Sequence, residues 1–142
     1  TVFATGPDVF NHNLETVPRL YDALRPQARY DCSLQVLRRA RQWSDTHERS
    51  MTVKTGIMVG VGETRDEVRA LMRDAVDHGV EVLTIGQYLQ PSAAHHPVVR
   101  YLEPAEFDDL AAEGRELGLA WVEAGPMVRS SYHAREQSEA LG

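Results

Sequence analysis

The sequence predicts an α/β protein with a mainly parallel sheet, and three observations predict it. Short apolar runs alternate along the chain with amphipathic segments, the signature of consecutive βαβ units. Ile57-Met58-Val59 is continuously apolar rather than alternating, as expected of a strand covered on both faces. Thr64 and Glu67 stand at capping-box spacing directly ahead of apolar residues at helical intervals.

Taken in order, Asp8-Val9-Phe10 ends a first strand. Thr16 then caps a short helix that places Val17, Leu20, Tyr21 and Leu24 on one face. Pro18 falls in its first turn, where a missing N–H costs little, and Arg25-Pro26 stops it. A second helix starts near Asp31 or Ser33, with Leu34, Leu37 and Ala40 inward and Cys32 at its entrance. Thr52 to Val61 is a buried strand. The helix opened by Thr64 carries Val68, Leu71, Met72, Ala75 and Val76 on one face and stops at Gly79. Val80 to Ile85 is the next strand, followed by a polar loop from Gln87 to about Glu103. Pro104 opens another helix, with Phe107, Leu110, Ala111 and Leu117 inward and Gly118 ending it, and Leu119 to Val122 is a last strand.

Composition narrows the class. The chain has 142 residues, enough for one domain that buries roughly 70% of its unfolded surface. With 21 acidic against 15 basic residues, its net charge is −6, which argues against a DNA-coating or membrane-surface protein. No apolar run is long enough to span a bilayer, and no signal-peptide core opens the chain. A soluble cytoplasmic domain is expected, without nucleic-acid or membrane partners. One cysteine, Cys32, excludes an intramolecular disulfide framework or a Cys-rich metal knuckle built by these residues alone. The start at Thr1-Val2-Phe3, without an initiator Met, reads as a processed chain, a cloned domain or a fragment.

In parallel α/β folds ligands bind at the carboxyl ends of strands. Four polar or Gly-rich clusters fall there: Asn11 to Glu15, Gly60 to Thr64, Gly86 to Pro91, and Gly125-Pro126 with Arg129 to His133. Their coincidence points to one composite site. Each also has a plain structural reading. Gly60 and Gly62 suit a tight turn before a capped helix, and they lack the further glycine or lysine of a dinucleotide or phosphate loop. Asn11 and Asn13 suit turn backbone. His95-His96 lacks a Cys or His partner at zinc spacing. Ser130 and Ser131 lie outside a nucleophile elbow; with Arg129 they form either an anion or cluster contact or a C-terminal tie-down. Lys54, inside an apolar strand, is either paired with a carboxylate or directed at the site.

Together these segments resemble the C-terminal half of the lipoyl synthase family, radical S-adenosylmethionine (SAM) enzymes. The resemblance is carried by Asp8 to Arg19, Gly56 to Thr64, Gly86 to Ser92, His95 to Val98 and Gly125 to Ala134, in family order. It implies one unit over 1–142, an α/β half of a partial (β/α) TIM-type barrel, with 125–142 as a cluster-contacting tail. It also implies insertion of two sulfur atoms into a protein-bound octanoyl chain, with SAM and two [4Fe–4S] clusters as cofactors. The implied partners are octanoylated carrier domains (2-oxoacid dehydrogenase E2 and glycine cleavage H protein), an electron donor such as flavodoxin or ferredoxin, and a separate N-terminal half.

By the same resemblance Ser131 matches a serine ligand of the auxiliary cluster, supported by Arg129, Ser130 and Tyr132. Asn11, Asn13, Glu15, Gly60, Gly62 and Glu63 match the strand ends around SAM, and Gln87 and Tyr88 match the next strand end, on the adenine or substrate side. Both cysteine motifs of the family are absent, and Cys32 falls outside either, so these residues alone are expected to hold no cluster and to be inactive. Two other readings are a non-catalytic remnant that binds SAM or a carrier domain, and a barrel enzyme binding a phosphorylated metabolite. A half barrel also leaves a parallel edge unpaired, so marginal stability or association is expected.

Overall fold

The alternating pattern folds as four parallel strands separated by helices. The structure, a computed structural model, describes residues 9–47 and 51–128. Strand β1 (Val9–Asn11) leads into a 3₁₀ turn (Pro18–Leu20), α1 (Tyr21–Leu24) and α2 (Tyr30–Thr46). There follow β2 (Thr52–Val59), α3 (Arg65–Asp77), β3 (Val82–Gln87), α4 (Pro104–Glu116) and β4 (Trp121–Gly125). Strand order in the sheet is β1-β2-β3-β4, each parallel to the next, so spatial order follows sequence order. That is the arrangement of a barrel wall, and the sheet is not closed among the described residues.

The helices form one layer. The Tyr30 hydroxyl donates to Asp74 at 2.8 Å and Arg38 donates to the Asp77 carbonyl at 3.0 Å, joining α2 to α3. Arg65 and Arg69 pair with Glu113, joining α3 to α4. Crossovers of one hand, each stepping to the next strand in the same direction, place their helices on the same face. The core lies between the layers, where Leu37, Leu71, Met72 and Phe107 meet Val53, Val59, Leu83 and Ile85.

Local signals explain most boundaries. The Thr64–Glu67 capping box is formed in both directions, and the residues expected to face inward on α3 are buried or nearly so. Gly79 and Gly118, at φ +88° and +120°, end α3 and α4 in the left-handed region that glycine tolerates. Helix α4 has a second box, Glu103 just ahead of Pro104 with Glu106 in the first turn. Thr16 is not a cap: Val17 occupies that position without any side-chain cap bond, and the expected helix is divided into the 3₁₀ turn and α1. Strand β2 ends at Val59 because Gly60 turns at φ +93°. Strand β3 runs on to Gln87, two residues beyond the expected end, because Met58 and Val59 offer register partners to Gly86 and Gln87.

Candidate functional site

The chain does not leave the sheet cleanly after β1. Glu15 returns to form an isolated parallel bridge with Ile57, its N–H donating to Gly56 at 2.9 Å and its carbonyl accepting from Met58 at 2.9 Å. These bonds clamp Glu15 at φ +72°, a conformation that costs a residue with a Cβ about 1 kcal/mol or more. Its carboxylate lies 3.6 Å from Arg25 Nη1, at the end of α1. His12 sits in the same segment. Burial lowers its pKa, Arg25 lowers it further and Glu15 opposes them, so the imidazole is neutral at pH 7. Asn11 is exposed beside Lys54 in the register, and Asn13, two residues on, is half-buried.

Lys54 itself is fully buried. Burial lowers its pKa, and the Glu123 carboxylate on β4 opposes that shift.

At the end of β2 the turn is filled from within. The Glu63 carboxylate accepts from the Gly60 N–H at 3.1 Å and the Val61 N–H at 3.0 Å. Two donors that a phosphate would use are therefore engaged by the chain's own carboxylate. The Gly60 carbonyl accepts from Val99 at 2.8 Å, and the Gly62 carbonyl accepts from Arg19 at 2.7 Å. Arg19 also grips Glu67 through two bonds of 2.9 Å, tying the segment after β1 to the start of α3.

At the end of β3, Gln87 is 3% exposed and its amide is spent on the following loop. Its nitrogen donates to the carbonyls of Tyr88 and Arg100 at 3.0 Å each, and its oxygen accepts from the Leu102 N–H at 3.0 Å. Tyr88 donates its hydroxyl to the His96 carbonyl at 2.7 Å. His96 Nε2 lies 2.9 Å from the Val61 carbonyl, which only accepts, so that nitrogen carries the proton. These bonds fold residues 88–102 back over the ends of β2 and β3 as a fixed wall.

Between this wall and the segment after β1 lies a cleft of about 290 Å³. Met58, Glu15, Thr16, Leu24, Arg25, Tyr88 and His96 contribute to its lining. Thr16 is 2% exposed, and its hydroxyl oxygen has no hydrogen-bond partner among the described residues. The cleft thus offers a carboxylate beside a guanidinium, a hydroxyl with unused bonding capacity and an apolar surface.

Of the residues singled out in the sequence, Glu15, Tyr88, His95 and His96 line this cleft. Gln87, Gly60 and Glu63 build the turn and wall around it. Gly62 anchors Arg19, and Asn11 and Asn13 belong to the entering segment. Arg129, Ser130, Ser131 and Tyr132 lie outside the described residues. His95 and His96 join no group of three or more His, Cys, Asp or Glu side chains able to hold a metal among the described residues. Arg25 and Thr16 reach the cleft through tertiary folding, which apolar spacing and helix punctuation do not signal.

No family model matches the chain. The chain is 56% identical over 139 residues to the lipoyl synthase of Methylococcus capsulatus and 52% identical over 139 residues to that of Rubrobacter xylanophilus. It is 56% identical over 135 residues to the lipoyl synthase of Thioalkalivibrio sulfidiphilus. These matches cover 95% to 98% of the chain but 41% or 42% of each relative, so the chain spans about two fifths of their length. The likeness read from the strand-end motifs is borne out.

Proposed function

We propose that this chain supplies the later strands of a lipoyl synthase, the radical SAM enzyme that inserts two sulfur atoms into a protein-bound octanoyl chain. The observation that carries this reading is identity of 50% to 56% with lipoyl synthases over nearly the whole chain. The substrates are then octanoylated carrier domains, the E2 and H-protein types, with a flavodoxin or ferredoxin as electron donor. No helix among the described residues is long and apolar enough to cross a membrane, and the reading places the reaction in the cytoplasm.

The described residues do not fit an iron–sulfur cluster. They present no group of three potential ligands, and Cys32 is exposed on α2. Both clusters in this reading take their thiolates from an N-terminal half, and the tail over 125–142 contributes Ser131, with Arg129, Ser130 and Tyr132 around it. The 142 residues alone are inactive in this reading.

The cleft does fit SAM by the chemistry of its donors. Glu15 offers a carboxylate, Thr16 an unused hydroxyl, and Met58 with Tyr88 an apolar surface. Asn11 and Asn13 would approach it from the end of β1, while Gly60, Gly62, Glu63 and Gln87 shape it from behind. When bound and reductively cleaved, SAM supplies the 5′-deoxyadenosyl radical, a reagent for C–H bonds that acid–base groups cannot open. The chain's own contribution is positional. The clamped Glu15 backbone places that side chain at the rim, Gln87 and Tyr88 hold the loop in place, and that wall limits water at the strand ends. The engagement of Glu63 by the Gly60 turn weighs against the phosphometabolite reading.

The test is anaerobic cluster reconstitution of the full chain assembled with a cluster-bearing N-terminal half, given SAM, a reductant and octanoylated H protein. The expected result is 5′-deoxyadenosine together with a carrier that has gained two sulfurs, present as the dithiol under the reductant. Assembled clusters that yield neither product overturn the proposal.

A further inference from the structure

Arg25 ends α1 in a short turn, its N–H bonded to Tyr21 and its carbonyl accepting from Ala28 at 3.0 Å. Pro26 follows and limits the turn's freedom. From this fixed base the guanidinium reaches into the cleft lining and stands 3.6 Å from Glu15 Oε1. The two side chains are 41% and 25% exposed, so as a stabilising ion pair the contact is weak. Glu15, by contrast, has its backbone held at φ +72° by two sheet bonds, which leaves only the side-chain torsions to decide where the carboxylate points. His12, neutral for the reasons given above, does not compete as a cation.

We propose that Arg25 is a positioning residue: it holds the Glu15 carboxylate in the orientation in which it meets the cleft's ligand. This rests on the reading of the cleft as the SAM site and adds to it a residue that has no assigned role there. The physical basis is preorganisation. A partly exposed glutamate samples several rotamers, and a guanidinium on a fixed turn removes that disorder before binding rather than during it. The expected signature is a change in affinity without a change in the rate of the bound state.

The test is a double-mutant cycle on the assembled, reconstituted protein, with SAM affinity measured by equilibrium dialysis and SAM cleavage measured at saturation. Arg25→Gln is expected to weaken SAM binding about three- to tenfold, leave cleavage at saturating SAM within twofold, and be partly rescued by Arg25→Lys. In a Glu15→Gln background, Arg25→Gln is expected to have no further effect. If Arg25→Gln weakens binding equally with Glu15 present or replaced, Arg25 acts on the ligand directly and the positioning role is overturned. An unchanged affinity in Arg25→Gln, where Glu15→Gln is impaired, overturns it as well. If Glu15→Gln binds SAM normally, it is the assignment of the cleft that fails. A melting temperature unchanged in Arg25→Gln separates the effect from loss of fold.

Discussion

At Gly60 a methyl group would stand 2.4 Å from the Arg100 carbonyl oxygen and 2.4 Å from the Gln87 amide nitrogen, on a backbone at φ +93°. Gly62 is also at positive φ, +112°, but a Cβ there would meet only Val99 at 3.6 Å. The two glycines look alike in sequence and differ in what surrounds them. Gly60→Ala is expected to cost about 3 kcal/mol and Gly62→Ala about 1 kcal/mol, measured by denaturant unfolding. Thr16 gives the opposite sign. Its buried hydroxyl oxygen lacks a partner, so Thr16→Val, which keeps the shape and removes the hydroxyl, is expected to raise stability by about 1 kcal/mol in the absence of ligand. A fall in the unfolding midpoint would contradict that. The glycine turn was legible because positive φ has a residue signature. The strained Glu15 was not, because the two bonds that hold it come from β2, far along the chain.

The elements are joined by polar pairs that act as fasteners between neighbours. Arg19 holds the Glu67 carboxyl down to about 2, mainly through their hydrogen bonds, with the Thr64 N–H adding to the effect. A carboxylate with its folded pKa lowered adds stability above the ordinary range near 4.5, and that stability is lost as pH falls toward 2. Glu67→Gln is expected to flatten the dependence of melting temperature on pH across this window while leaving α3 capped. The effect is small, since both side chains meet water. Between α2 and α3, Tyr30→Phe removes the bond to Asp74 and is expected to cost about 1 to 2 kcal/mol, again by denaturant unfolding. Helix α3 was readable almost residue by residue, because its cap and its apolar spacing are both local. Strand ends were less so. The extension of β3 through Gln87 depends on partners in β2, and the first helix begins after Val17, not Thr16, as a 3₁₀ turn before α1.

For the molecule as a whole, the parallel α/β class was legible from the alternation of elements, while its openness is a matter of what pairs with the outermost strands. Among the described residues β1 has three residues, and β4 presents Trp121 at 42% exposure. Unpaired parallel edges recruit other chains. The 142-residue chain is therefore expected to self-associate with rising concentration in sedimentation velocity, and to cease doing so when assembled with an N-terminal half. A single monomeric species at all concentrations would count against this. The order β1-β2-β3-β4 has a consequence for how such a protein tolerates being divided. Among the described residues each strand pairs with its predecessor and its successor, and no strand is skipped. A cut between two units severs one ladder and leaves both pieces with their own hairpin-free, correctly ordered sheets. In a doubly wound sheet, where the chain turns back past its first strand, many cuts separate strands that lie side by side. Genes for sheets wound in one direction can thus be broken at many loops and their products still meet along a single seam.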